Sequence, residues 1–221
     1  AAMMAAVRIP VTVKCRIGVD DQIPEEALPV FLATIREAGV RRVTIHARKA
    51  WLQGLSPREN RDIPPLDYPL VNCMKRDFPD LHISVNGGIG TLAEARAQLD
   101  AGLDGVMIGR AAYYRPAEIL LGADRAIFDR ETPAKTAFDA AEEMRPYIAR
   151  HLEGGGRLHS VTRHMLGLFA GQPGARNWRR ILSEGAAQTA AGLEVLDAAL
   201  AAMRNPHPVP PLAQGGASVH R

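Results

Sequence analysis

Three observations on the 221-residue sequence predict an α/β fold, the C-terminal half of a (β/α)8 TIM barrel followed by a small all-helical domain. Strand-like and helix-like stretches alternate four times between residues 8 and 128, the pattern of right-handed βαβ units on a parallel sheet. Two β-branched runs stop abruptly on glycine, Val85-Asn86-Gly87-Gly88-Ile89 and Met107-Ile108-Gly109-Arg110, and each leads into a helix-like stretch. The last two strands of such a barrel present backbone N–H groups to a ligand phosphate in this way. Beyond residue 131 the strand pattern vanishes and only helical periodicity remains.

The elements follow in order. The opening Ala-Ala-Met-Met-Ala-Ala-Val reads as the last turns of a helix, which predicts that the chain is part of a longer one. Residues 11–16 form a strand, and residues 24–38 form a helix ending at Gly39. A second strand at 43–47 is followed by a long polar segment, 48–69, and a helix at 70–77. The third strand, 83–86, precedes a helix at 92–101 with Thr91 as its N-cap and Gly102 as its stop. The fourth strand, 106–108, precedes a helix beginning near Pro116. A complete barrel takes about 250 residues, so roughly half of one is visible. Helical periodicity then covers 136–152, 161–169, 177–183 and 193–203. The expected domains are a partial barrel at 1–130 and a helical domain at 131–204. The tail at 205–221, with Pro206, Pro208, Pro210 and Pro211, is predicted to be disordered.

Composition narrows the function classes. Hydrophobic residues make up 47% and charged residues 23%, enough apolar content for a packed core. A net charge of +3 is only a mild basic bias. Cys15 and Cys73 are too few for a disulfide framework and lack metal-ligand spacing, so no metal is expected. No apolar run has the length of a membrane span, and no basic-then-apolar leader opens the sequence. A cytoplasmic, soluble protein is expected.

Strand parity sorts the chemistry, because alternate side chains face opposite sides of a sheet. In the first strand the valines and Cys15 share one face, while Thr12, Lys14 and Arg16 share the other. Thr44, His46 and Arg48 fall together in the second strand, and Ser84 and Asn86 in the third. Lys14, His46 and Asn86 are therefore expected to end their strands on the inward face. Lys14 suits an anionic or electron-rich ring edge, and His46 a hydrogen bond beside it. Asn86, Gly87 and Gly88 offer an amide and unhindered N–H groups. Gly109 and Arg110 repeat this on the last strand, with a guanidinium for bidentate phosphate contact. Any one of these residues alone is ordinary, a solvated lysine or a turn glycine; their alignment on successive strands is not.

The runs VTVKCRIGVDD, VTIHARKAWLQGLSP, RENRDIPPLDY, SVNGGI and GVMIGRAAYYRP resemble the tRNA-dihydrouridine synthases. RKAWLQGLSP resembles the A-type bacterial enzymes that act on D-loop positions 20 and 20a, and SVTRHMLGLFAGQPGARNWRRILSE resembles their helical tRNA-binding domain. The resemblance covers residues 7–184. It implies FMN at a barrel mouth, NADPH as hydride donor and reduction of the uridine C5–C6 double bond in tRNA. By motif it makes Lys14, His46, Asn86, Gly87, Gly88, Gly109 and Arg110 flavin contacts. It also places Arg58, Arg61, Arg176 and Arg179 against tRNA, and implies a monomer at full length. The residues themselves agree: between Arg150 and Glu184 stand six arginines and two glutamates, a balance suited to RNA phosphates.

The family's general acid is a cysteine in an Asn-x-Gly-Cys-Pro loop, a motif that does not occur in these 221 residues. Cys15 falls on the helix-facing side of its strand and Cys73 within a helix, so neither is assigned the role. A half barrel exposes two strand edges, so the chain is expected to be inactive, to bind FMN poorly, and to aggregate or dimerise. Two other readings stay open: a different FMN-dependent barrel oxidoreductase, and a non-catalytic tRNA-binding remnant.

Overall fold

The computed structural model describes residues 1–205, and the proline-rich segment expected to be disordered lies almost wholly outside them. Two compact units divide between Ala134 and Lys135. The first contains α1 (Ala2–Ala6), β1 (Val13–Arg16), α2 (Pro24–Glu37), β2 (Arg42–His46), α3 (Tyr68–Asp77), β3 (His82–Asn86), α4 (Leu92–Asp100) and β4 (Gly105–Met107). Three short helices follow: α5 (Arg110–Tyr114), α6 (Pro116–Leu120) and α7 (Ala123–Phe128). Arg110 thus opens a helical turn six residues earlier than the helix expected from Pro116.

All four strands are parallel, in the order β1-β2-β3-β4, each joined to the next through a helix. This is the βα repetition that the alternating pattern predicts. Parity holds: Val43, Ile45, Ile83 and Val85 are buried on the helix-facing side, where Leu28 and Leu32 of α2 and Leu70, Val71 and Met74 of α3 meet them. Each such side chain contributes about 1.5–3 kcal/mol when fully buried. Helix starts are chemically marked. Pro24 sits in the first turn of α2 with Glu25 and Glu26 beside it. The Asp67 carboxylate accepts from the Leu70 N–H at 2.9 Å. Thr91 and Glu94 form a reciprocal capping box on α4.

The second unit contains α8 (Ala137–Glu143), α9 (Arg145–Glu153), α10 (Leu158–Thr162), α11 (Ala175–Gly185) and α12 (Leu193–Arg204). The single helix expected over 136–152 is broken at Met144 because Pro146, in the first turn of α9, has no N–H for the ladder. The helix expected at 161–169 is replaced by α10 and a run of turns through residue 171. Its backbone closes short turns such as Met165 N–H to the Thr162 carbonyl at 2.9 Å, and Phe169 stacks edge-on against Trp178 at 4.7 Å and Phe138 at 4.8 Å. Trp178 is fully buried, and its indole N–H donates to the Met165 carbonyl at 3.0 Å. Among the described residues no helix is long and apolar enough to cross a membrane.

Candidate functional site

The strand register sets the level of each inward side chain. Arg16, His46, Asn86 and Met107 form one row across the four strands, and Lys14, Thr44 and Ser84 form the row beneath, with Gly105 completing it. Lys14 therefore shares the face of His46 and Asn86 but lies one row deeper. Arg16 is the residue level with them. Gly105 is glycine for a packing reason, since a Cβ there would stand 2.5 Å from the Ser84 hydroxyl.

Two adjoining clefts open at the C-terminal strand ends and share His46, Arg61 and Asn86. One, of about 400 Å³, is walled by Gly87, Gly88, Gly109 and Arg110. The other, of about 500 Å³, is walled by Lys14, Arg16 and the loop after β2. The structure thus gathers all seven predicted flavin positions, with Arg61, at one mouth. Arg58 is exposed on the same loop but lines neither cleft. Arg176 and Arg179 belong to the second unit, exposed on α11, which buries Ala175, Trp178 and Leu182.

His46 is buried, and burial together with Arg16, Lys14, Arg48 and Arg110 pushes its pKa down to about 4. The imidazole is neutral at physiological pH, with one nitrogen to donate and one to accept. Its Nδ1 has no partner among the described residues. Burial and Arg16 also lower Lys14. Burial raises the Cys15 thiol to about 11, on the side of the sheet facing α2, so it is a poor proton donor.

The glycines divide by role. Gly87 and Gly88 have φ of 111° and 72°, a region other residues enter at a cost. A Cβ on Gly88 would also meet Leu66 at 2.4 Å. The Tyr68 hydroxyl donates to the Gly87 carbonyl at 2.5 Å and fixes the turn. A Cβ on Gly109, by contrast, would meet nothing within 4 Å, so this glycine leaves open space in the cleft rather than relieving a clash.

Arg110 is not free. Its guanidinium donates to Asp62 Oδ1 at 2.6 Å and to the Arg61 carbonyl at 3.3 Å, and the same pairing lowers the Asp62 carboxyl. The guanidinium is thus held in place by a carboxylate at the cleft wall. Asn86 is likewise engaged, its Nδ2 donating to the Met107 carbonyl at 2.7 Å, which leaves the amide oxygen for the cleft.

Parity and motif reading passed over Asn60, Asp62, Tyr68 and the anchoring role of Arg16. Asn60 and Asp62 sit in RENRDIPPLDY, where only the arginines look functional. Asn60 is buried, and its side chain both donates to and accepts from the Trp51 backbone, each at 2.7 Å. The Arg48 guanidinium ties the far end of the loop to the Asp62 and Pro64 carbonyls.

Residues 1–204 match the family described as dihydrouridine synthase (Dus). The chain belongs to the dihydrouridine synthase family. The family fold is a TIM barrel, and the four parallel βα units are consistent with it. Among curated relatives, the tRNA-dihydrouridine(20/20a) synthase of Vibrio cholerae is 57% identical over 202 residues, which is 91% of this chain and 61% of the relative. The protein of that name from Shewanella oneidensis is 52% identical over 88% of this chain and 58% of its own length. That of Escherichia coli K12 is 54% identical over 90% and 57%. The chain spans about three fifths of the length of these dihydrouridine synthase relatives.

Proposed function

We propose that this chain carries the last four βα units and the tRNA-binding helical domain of a cytoplasmic tRNA-dihydrouridine synthase acting at positions 20 and 20a. The observation that supports this most is the gathering of Lys14, His46, Asn86, Gly87, Gly88, Gly109 and Arg110 at the C-terminal mouth of one parallel sheet. That is where barrel enzymes do their chemistry. The names of the relatives favour tRNA over a small-molecule substrate.

The residues present fit FMN. The open space at Gly109 admits a phosphate that any side chain would displace, and the unpartnered His46 Nδ1 is a buried polar atom in need of a ligand. Gly87, Gly88 and Gly109 would offer backbone N–H groups to the phosphate, with Arg110 beside them. Lys14 and neutral His46 would hold the polar edge of the ring. The chemistry that bound FMN would supply is hydride transfer, from NADPH to C6 of uracil. Arg58, Arg61, Arg176 and Arg179 would contact tRNA phosphates. The proton for C5 is assigned to neither Cys15, raised and turned toward α2, nor Cys73 in α3. The 221 residues by themselves are therefore read as inactive, with four strands giving weak flavin affinity in which the phosphate dominates.

Titration of the chain with FMN and with riboflavin tests this. FMN binding more tightly than riboflavin is expected, with the difference abolished in Gly109→Val. Equal affinity for the two flavins, or binding of neither, would overturn the phosphate assignment. Robust dihydrouridine formation in tRNA by this chain with FMN and NADPH would overturn its inactivity. A second reading, a tRNA-binding module without catalysis, draws on α11, whose basic face stands on a buried tryptophan independently of the cleft.

A further inference from the structure

The loop after β2 holds an aromatic side chain to which the readings above give no role. Trp51 is 36% exposed and walls the second cleft beside Lys14, Arg16 and Arg61. Its backbone is held on both sides: the N–H donates to Asn60 Oδ1 and the carbonyl accepts from Asn60 Nδ2, each at 2.7 Å. Arg16 fastens the same loop from the sheet, donating to the Lys49 carbonyl at 2.7 Å and the Asn60 carbonyl at 2.9 Å. A parallel bridge pairs Ala50 with Val19, and the Leu52 N–H donates to Asp20 Oδ1 at 2.7 Å. An indole placed on so fixed a backbone loses little freedom when a ligand covers it. The Lys49 ammonium lies 4.8 Å from the ring centroid, and Arg58 and Arg61 are exposed on the same loop.

A flat ring on a fixed backbone, with the Lys49 ammonium over one face and two exposed arginines on the same loop, fits a ligand that has both a π-face and phosphates. We propose that Trp51 is a stacking platform for an unpaired nucleobase of the RNA at the rim of the cleft, with Lys49, Arg58 and Arg61 neutralising the phosphates around that base. The proposal rests on the tRNA reading above. Loops of RNA are recognised through splayed bases stacked on aromatic side chains, and such stacking tolerates any base. Asn60 and Arg16 are positioning residues, acting through the loop.

The test uses the whole 221-residue chain and an unmodified tRNA transcript, with binding followed by anisotropy of labelled tRNA and by tryptophan emission. Trp178 is fully buried, so a change in emission at saturation belongs to Trp51. The expected result is a fall in wild-type emission that is absent in Trp51→Phe, which keeps only Trp178. Trp51→Ala should raise Kd about tenfold, while Trp51→Phe stays close to wild type. If tRNA binds with wild-type emission unchanged, or if Trp51→Ala binds as tightly as wild type, the platform is refuted and the tRNA reading stands. If wild type binds no tRNA at all, both fall.

Discussion

His46 stands between the buried face of β2 and a wall of cations, and its chemistry follows from that placement. Its pKa in the fold, about 4, lies below the ordinary histidine value of 6.5, so the unfolded chain takes up the proton first. The stability linked to neutral His46 is complete above pH 6.5 and is lost as pH falls toward 4. Carboxylates lowered by their partners, such as Asp104 beside Lys75 and Asp139 beside Thr136, lose theirs only in a more acidic window. The urea midpoint of wild type should therefore drop between pH 7 and pH 5, and His46→Gln should drop less. Identical losses in the two proteins would show that His46 titrates normally. At this scale, parity in the sequence placed Lys14, His46 and Asn86 on one face. It did not show that Arg16 is the residue level with His46, because register is a property of paired strands. Nor did it show Arg110 engaged by Asp62, a partner 48 residues away.

Among the elements, α11 shows how packing and binding are divided on one helix. Ala175, Trp178 and Leu182 recur at helical spacing and are buried, while Arg176 and Arg179 stand three apart on exposed surface. Arg180 pairs with Glu184 at 3.3 Å, which leaves the other two arginines better placed for phosphates. Replacing Arg176 and Arg179 with alanine should weaken tRNA binding and reduce the salt slope of log K by about two. The fold should be unchanged, since the buried face is untouched. An unaltered slope would remove α11 from the RNA interface. The helix was legible from its periodicity. The break before Pro146 was not read, because Ala137, Ala141 and Ile148 keep a helical spacing across the proline. The turns over 163–171 were not legible, because their apolar residues follow a helical spacing while the backbone closes separate three-residue turns packed on Trp178 and Phe138.

For the molecule as a whole, the sheet has two open sides. Among the described residues β1 pairs only with β2 and β4 only with β3, and Ile23, Val30 and Phe31 are exposed along α2. Parallel edges with unpaired N–H and carbonyl groups template further pairing. Sedimentation of the 221-residue chain should show mass above 23.9 kDa that grows with concentration. A monomer at every concentration would show that the edges are shielded. The βα order, the inward and outward faces, the glycine stops and the basic helix were all determined by the sequence, since each is a local or periodic property of consecutive residues. The level of each side chain at the mouth, the Asn60 clamp on Trp51, the Asp62–Arg110 pair and the depressed His46 were decided only by the tertiary structure. Each depends on distances between residues far apart in the chain, and on a desolvation that exists only once the sheet, its helices and the loop after β2 have packed.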